Sequence, residues 1–134
     1  MNKLIIYTDG GARGNPGPAG IGAVLYDEHK KIVAEVSEFL GVATNNQAEY
    51  RAVIAATQKA LALGATDLEF YLDSELVVKQ LNHEYKLKNK DLAPLFLTLH
   101  NLSVNFKKIT YTHIRREQNK EADQLANEAM DRGI

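Results

Sequence analysis

The chain has 134 residues, with 16 basic and 17 acidic side chains, a formal net charge of −1 and no cysteine. That length suits a single domain over residues 1–134, and 45% apolar with 25% charged residues excludes collagen-like, coiled-coil and disordered chains. Disulfides, thiolate catalysis and zinc sites built on cysteine are excluded; no apolar run approaches the ~18 residues of a membrane span; and Met1 to Tyr7 meets Asp9 too soon for a signal peptide, so a cytoplasmic protein with no membrane partner is expected.

Leu4 to Thr8 is short, β-branched and aromatic, which predicts a strand stopping at Asp9-Gly10-Gly11. Residues 10–20 hold five glycines with Pro16 and Pro18, the composition of a loop or tight hairpin connection. Ile21 to Tyr26 and Ile32 to Leu40 read as two further strands, joined by the polar turn at 27–30. Thr44-Asn45-Asn46-Gln47 has the capping-box form, and a helix follows to about Leu63, stopping at Gly64. Its alanines 48, 52, 55, 56 and 60 permit close approach to a sheet. Leu68 to Leu72 is a fourth strand ending at Asp73, and Ser74 can cap a short helix to about Leu81. Asp91 is placed to cap a helix through about Val104, with Pro94 in its first turn. Ile109 to Ile114 is a fifth strand, and Asn119 to about Met130 a last helix. The order βββαβααβα predicts an α/β fold: a five-stranded mixed sheet, its first three strands antiparallel, with helices on both faces.

Four carboxylates sit at the predicted element ends. Asp9 and Asp73 end strands that can be parallel neighbours, so they fall at one edge, outside the carboxyl ends of the strands, where ligands of open α/β sheets bind. Glu49 and Asp123, near the starts of two helices, can reach the same edge. Each acid taken alone has a structural explanation, as a turn residue or as a partner of a helix dipole. Together they would repel and retain protons unless cations were present. Mg²⁺ is the hard cation held by one or two carboxylates plus phosphate oxygens. Two such ions, about 3.5–4 Å apart, clamp the attacking and leaving oxygens of an in-line phosphoryl displacement.

The residues flanking these acids resemble type 1 ribonuclease H in its shorter form, which lacks an extra basic helix. Four blocks carry the resemblance, in the family's order: residues 7–20 (YTDGGARGNPGPAG), 44–49 (TNNQAE), 72–77 (LDSELV) and 113–123 (HIRREQNKEAD). The resemblance implies a ribonuclease H-like fold, with Asp9, Glu49, Asp73 and Asp123 as metal-binding catalytic acids. It implies two Mg²⁺ ions, with Mn²⁺ able to substitute, and a monomer cleaving the RNA strand of an RNA/DNA hybrid to leave 5′-phosphate and 3′-hydroxyl ends. It brings double-stranded RNA into the range of substrates for the short form. By the same analogy Thr44 and Asn45 hold a DNA-strand phosphate at the helix start, while Gly10, Gly11, Asn15, Asn46, Gln47 and Ser74 lie along the hybrid. His113, ten residues before Asp123, is one candidate for a catalytic assist and Arg116 is its rival; His113 also alternates with Ile109 and Tyr111 as an ordered strand residue would. The alternative function is a hybrid- or double-stranded-RNA-binding module without turnover, against which the presence of all four acids counts.

The sequence departs from longer members between about residues 82 and 91, where Tyr85-Lys86-Leu87-Lys88-Asn89-Lys90 replaces a tryptophan-bearing basic region. That run is either a phosphate contact or a solvated loop. The net charge also hides an asymmetry: residues 79–120 hold nine basic and three acidic side chains. Near-neutrality therefore does not exclude a nucleic-acid partner.

Overall fold

The computed structural model describes residues 2–134, so Met1 lies outside the described residues. The elements are β1 (Lys3–Ala12), β2 (Gly17–Tyr26), β3 (Ile32–Ala43), α1 (Asn45–Ala62), β4 (Asp67–Leu72), α2 (Glu75–Leu81), α3 (Ala93–Ser103), β5 (Lys108–His113) and α4 (Lys120–Arg132), with a 3₁₀ turn at Arg116–Gln118. Their order is βββαβααβα, as the sequence predicts. The sheet runs β3-β2-β1-β4-β5. β1 is antiparallel to β2, and β2 to β3, whereas β4 pairs parallel with β1 and β5 parallel with β4.

Strand β1 alternates between the two faces. Leu4, Ile6, Thr8 and Gly10 are buried, and the residues between them are half-buried. A Cβ at Gly10 would overlap the backbone of Ala48, which puts the even face against α1. Gly22, the register partner of Asp9, has no room for a Cβ beside Ala122, which puts the odd face against α4. The core on the α1 side is built from Leu4, Ile6, Leu25, Tyr50, Val53, Leu68 and Phe70. The buried alanines 48, 52, 56 and 60 let α1 lie close on the strands.

Helix α1 starts as the capping box requires. The Gln47 N–H donates to Thr44 Oγ1 at 3.1 Å, and the Thr44 N–H donates to Gln47 Oε1 at 2.9 Å. It ends at the cap Leu63, followed by Gly64 at φ +78°.

Two local readings are corrected. Residues 10–20 are mostly strand: β1 and β2 stay paired as far as Ala12 opposite Ala19, which leaves only residues 13–16 as the turn. The glycines there serve packing as well as turning. Asp91 does not cap α3; the cap is Leu92, with no side-chain bond, and the Asp91 N–H instead donates to Asn89 Oδ1 at 2.8 Å. Burial of Leu92, 1% exposed, sets that boundary in place of a polar cap.

Candidate active site

The last parallel pair between β1 and β4 is Thr8 with Leu72, so Asp9 and Asp73 both follow directly from it on neighbouring strands. Asp9 remains inside β1, paired on its other side with Gly22, so it is not a turn residue. Glu49 is the fifth residue of α1, whose first turn contains no acid, so a helix dipole does not account for it. Asp123 does lie in the first turn of α4, where the dipole favours a carboxylate. These four acids line one open cleft with Gly10, Gly11, Asn45 and Arg116. The turn after β1 ties both walls of the cleft in place. Asn15 Oδ1 accepts from the Asn45 N–H at 3.1 Å, and Asn45 Oδ1 accepts from the Ala12 N–H at 2.8 Å, which fixes the α1 side. Arg13 pairs with Asp131 at 2.7 Å, which fixes the α4 side.

The electrostatics are those of carboxylates short of counter-charge. Burial, then the charge of Asp73, then Asp123 and Glu49, pushes the Asp9 carboxyl up to about 8. Burial, reinforced by Asp73, pushes Glu49 up to about 7 against the opposing hydrogen bond of Ser74. Two cations line the cleft: Arg13 is spent on Asp131 at 2.7 Å, and Arg116 faces the acids, its guanidinium 3.9 Å from Asp123. Among the described residues no three His, Asp or Glu side chains close into a ready-made metal cage. The donor set still fits a hard divalent ion: every donor is a carboxylate oxygen, two of the four are desolvated, and Mg²⁺ is commonly held by one or two carboxylates with substrate phosphate oxygens completing its shell.

Asn119 supports this edge, and the sequence gives it no role beyond starting a helix. Its side chain makes no cap bond. It is fully buried, and its Nδ2 donates to the Thr8 carbonyl at 2.8 Å and to Asp73 Oδ2 at 3.2 Å. It thereby joins the start of α4 to β1 and to the end of β4. Asn119→Ala is expected to cost about 1–3 kcal/mol, because it orphans buried acceptors. It is expected to lower kcat more than it raises KM; urea unfolding and steady-state kinetics check the two effects.

The expected substrate-facing residues divide. Gly10 is buried under α1 and reaches the cleft only with its backbone. The N–H groups of Asn45 and Gln47 are taken by Asn15 and Thr44, so the helix start offers an anion fewer free donors than an open N-terminus. Asn46 opens instead onto a groove with Leu76, Tyr85, Lys86 and Lys88. Ser74 caps α2, accepting from the Val77 N–H at 3.3 Å, and lies against Glu49. His113 ends β5 outside the cleft, its Nδ1 3.8 Å from Glu75, whereas Arg116 is inside it. The basic segment also divides: Lys86 and Lys88 flank Asn46, but Lys107 and Lys108 lie at the opposite end of β5 from His113, with His83 and His100.

A mixed five-stranded sheet with four carboxylates at the carboxyl edge of its parallel strands defines the ribonuclease H-like class of fold. The model of the reverse transcriptase-like family matches residues 7–129. A bifunctional protein of Mycobacterium tuberculosis is 46% identical over 96% of this chain, and the chain spans 36% of that relative's length. Ribonuclease H of Clostridium botulinum is 36% identical, covering 98% of this chain and 97% of its own. Among solved structures, RNase H1 of the halophilic archaeon Halobacterium salinarum superposes with a TM-score of 0.94 at 44% identity, over 98% of this chain and 99% of that one. LC11-RNase H1 in complex with RNA/DNA hybrid superposes with a TM-score of 0.92 at 42% identity, over 96% and 97%. The chain belongs to the ribonuclease H family, whose members are metal-dependent. Among the described residues no helix is long and apolar enough to cross a membrane.

Proposed function

We propose that the protein is an endoribonuclease that hydrolyses the RNA strand of RNA/DNA hybrids, leaving 5′-phosphate and 3′-hydroxyl ends. The observation that carries this reading is the convergence of Asp9, Glu49, Asp73 and Asp123 in one cleft. The alignment with a relative solved on an RNA/DNA hybrid supplies the substrate class. One chain contributes all four acids, so the reading needs no second subunit.

In this reading the four acids hold two Mg²⁺ ions, with Mn²⁺ able to substitute. Bound divalent metal supplies Lewis-acid stabilisation of the phosphoryl oxygens and a more acidic water. The chain's own residues position and select. The cleft orients a water in line with the scissile P–O3′ bond, which breaks as the water oxygen bonds to phosphorus; the water releases a proton to solvent and the leaving 3′-oxygen takes one up. Arg116, beside Asp123 and with its side chain 82% exposed, can swing onto a phosphate oxygen and offset developing charge. His113 stands at the margin as a proton carrier that must first leave Glu75. In the same reading Asn45, which lines the cleft, Asn46 with the Lys86–Lys88 groove, and Thr44 at the start of α1 follow the other strand.

The test uses end-labelled RNA/DNA, RNA/RNA and DNA/DNA duplexes with Mg²⁺, with Mn²⁺ and with EDTA, mapping which strand is cut. Metal-dependent cutting of the RNA strand of the hybrid is expected. Binding without turnover in either metal would replace the reading with that of a binding module, and cleavage in EDTA would overturn it.

A further inference from the structure

We propose that the open tyrosine pocket on the α4 side of the sheet binds a linear aliphatic polyamine. Three neighbouring strands contribute one wall each: Tyr26 from β2, Tyr7 from β1 and Tyr71 from β4. Tyr7 stacks on Tyr71 with ring centroids 5.1 Å apart and planes 23° apart. Tyr26 meets Tyr7 nearly at a right angle, 85°, at 5.8 Å. With Ile5, Lys30, Gln118 and Glu121 these rings line a cavity of about 360 Å³, a size suited to a small ligand. None of these residues belongs to the carboxylate cleft.

The chemistry of the walls selects a cation. Aromatic faces attract ammonium groups, more strongly where water is partly excluded. Glu121 lines the cavity and makes no ion pair with any described residue. Burial first, then the charges of Glu121, Tyr7 and Glu35, push the Tyr26 hydroxyl up. Glu69 accepts from the Tyr71 hydroxyl at 3.4 Å, with its charge already matched by Lys3 at 2.7 Å. A carboxylate and phenolic oxygens are acceptors, so the fitting cation carries N–H donors, which a quaternary ammonium lacks. Glu121 comes from α4 and lines the cavity, and Glu35 comes from β3 as the register partner of Val24, beyond the lining. Acids spread in this way match several charges along a flexible chain better than one point charge. Lys30 is the only cation in the lining, and it opposes the ligand.

The protein has six tyrosines and no tryptophan, so tyrosine rings report the site directly. Ring-labelled tyrosine NMR with spermidine, at constant ionic strength and with magnesium saturating, is the test. The resonances of Tyr7, Tyr26 and Tyr71 are expected to shift together and saturate, while those of Tyr50, Tyr85 and Tyr111 stay in place. Glu121→Gln, at an exposed position that tolerates the change, is expected to weaken binding about tenfold. Lys30→Ala is expected to tighten it. The proposal is overturned by a non-saturating response, by equal shifts at Tyr85, by unchanged affinity in Glu121→Gln, by weaker binding in Lys30→Ala, or by tetramethylammonium binding as tightly as spermidine.

Discussion

Asp9→Asn is expected to lose cleavage by about a thousandfold or more, since the variant gives up several kcal/mol of charge stabilisation around the phosphate. The same variant, without divalent metal, is expected to unfold at a higher temperature than the unaltered protein. Asp9 is mostly buried among three other acids, and its carboxyl is pushed up to about 8 from its ordinary 3.8. Between those two values the folded protein holds a proton that the unfolded chain releases. Stability from this group is therefore complete at low pH and is lost as pH rises through about 8. Asparagine keeps the shape without the charge, so its advantage grows across that window, to the order of 2–4 kcal/mol near neutrality. Glu49, pushed up to about 7, adds the same sign of dependence in both proteins, so the difference between them isolates Asp9. Added Mg²⁺ stabilises the unaltered protein by mass action and the variant less, which narrows the gap. Thermal unfolding of both proteins from pH 5 to 9, with and without Mg²⁺, measures all of this. A variant that cleaves fully, or that is less stable at pH 8 in EDTA, would remove Asp9 from the metal site.

What was legible in the sequence was mainly short-range or forced by topology. Thr44 and Gln47 cap α1 through contacts three residues apart, which any reading of the chain can see. Asp9 and Asp73 meet because the strands before them are parallel and in register, which the element order implies. The features misread or left open depend on long-range packing. A glycine-rich run signals a turn when read locally, yet Gly10 and Gly20 are places where a helix backbone lies against a strand. Asn119 looks like a helix cap from its neighbours and becomes a brace only when β1 and β4 arrive beside it. His113 and Arg116 are three residues apart, and only the 3₁₀ turn decides that Arg116 enters the cleft. The charge asymmetry is real in sequence but divided in space. β5 separates Lys108 from His113 by five residues, roughly 17 Å of strand, so Lys107 and Lys108 stand far from the acidic edge.

Gly22→Ala is expected to be among the most damaging single-methyl changes in the protein. The new Cβ would overlap the Ala122 carbonyl and stand 2.7 Å from the Ala126 nitrogen and 2.8 Å from Leu125 Cβ. Two of those three neighbours are helix backbone, which cannot rotate aside as a long side chain can. The helix must lift from β2, at a cost of about 1–3 kcal/mol or more. The displacement reaches the site because α4 carries Asp123 and begins at Asn119, which holds Asp73. Turnover is therefore expected to fall even where the variant remains folded, while the α1 wall with Glu49 keeps its place. Gly11→Ala is the control for stability: its Cβ would meet only Asn45 Oδ1, at 3.8 Å. There the lower chain entropy of alanine in the unfolded state offsets any small strain, and a change within about 1 kcal/mol is expected. Urea unfolding of the two variants side by side decides the matter. Equal stability would mean that α4 does not rest on Gly22, and that the position of Asp123 is set by something other than this contact.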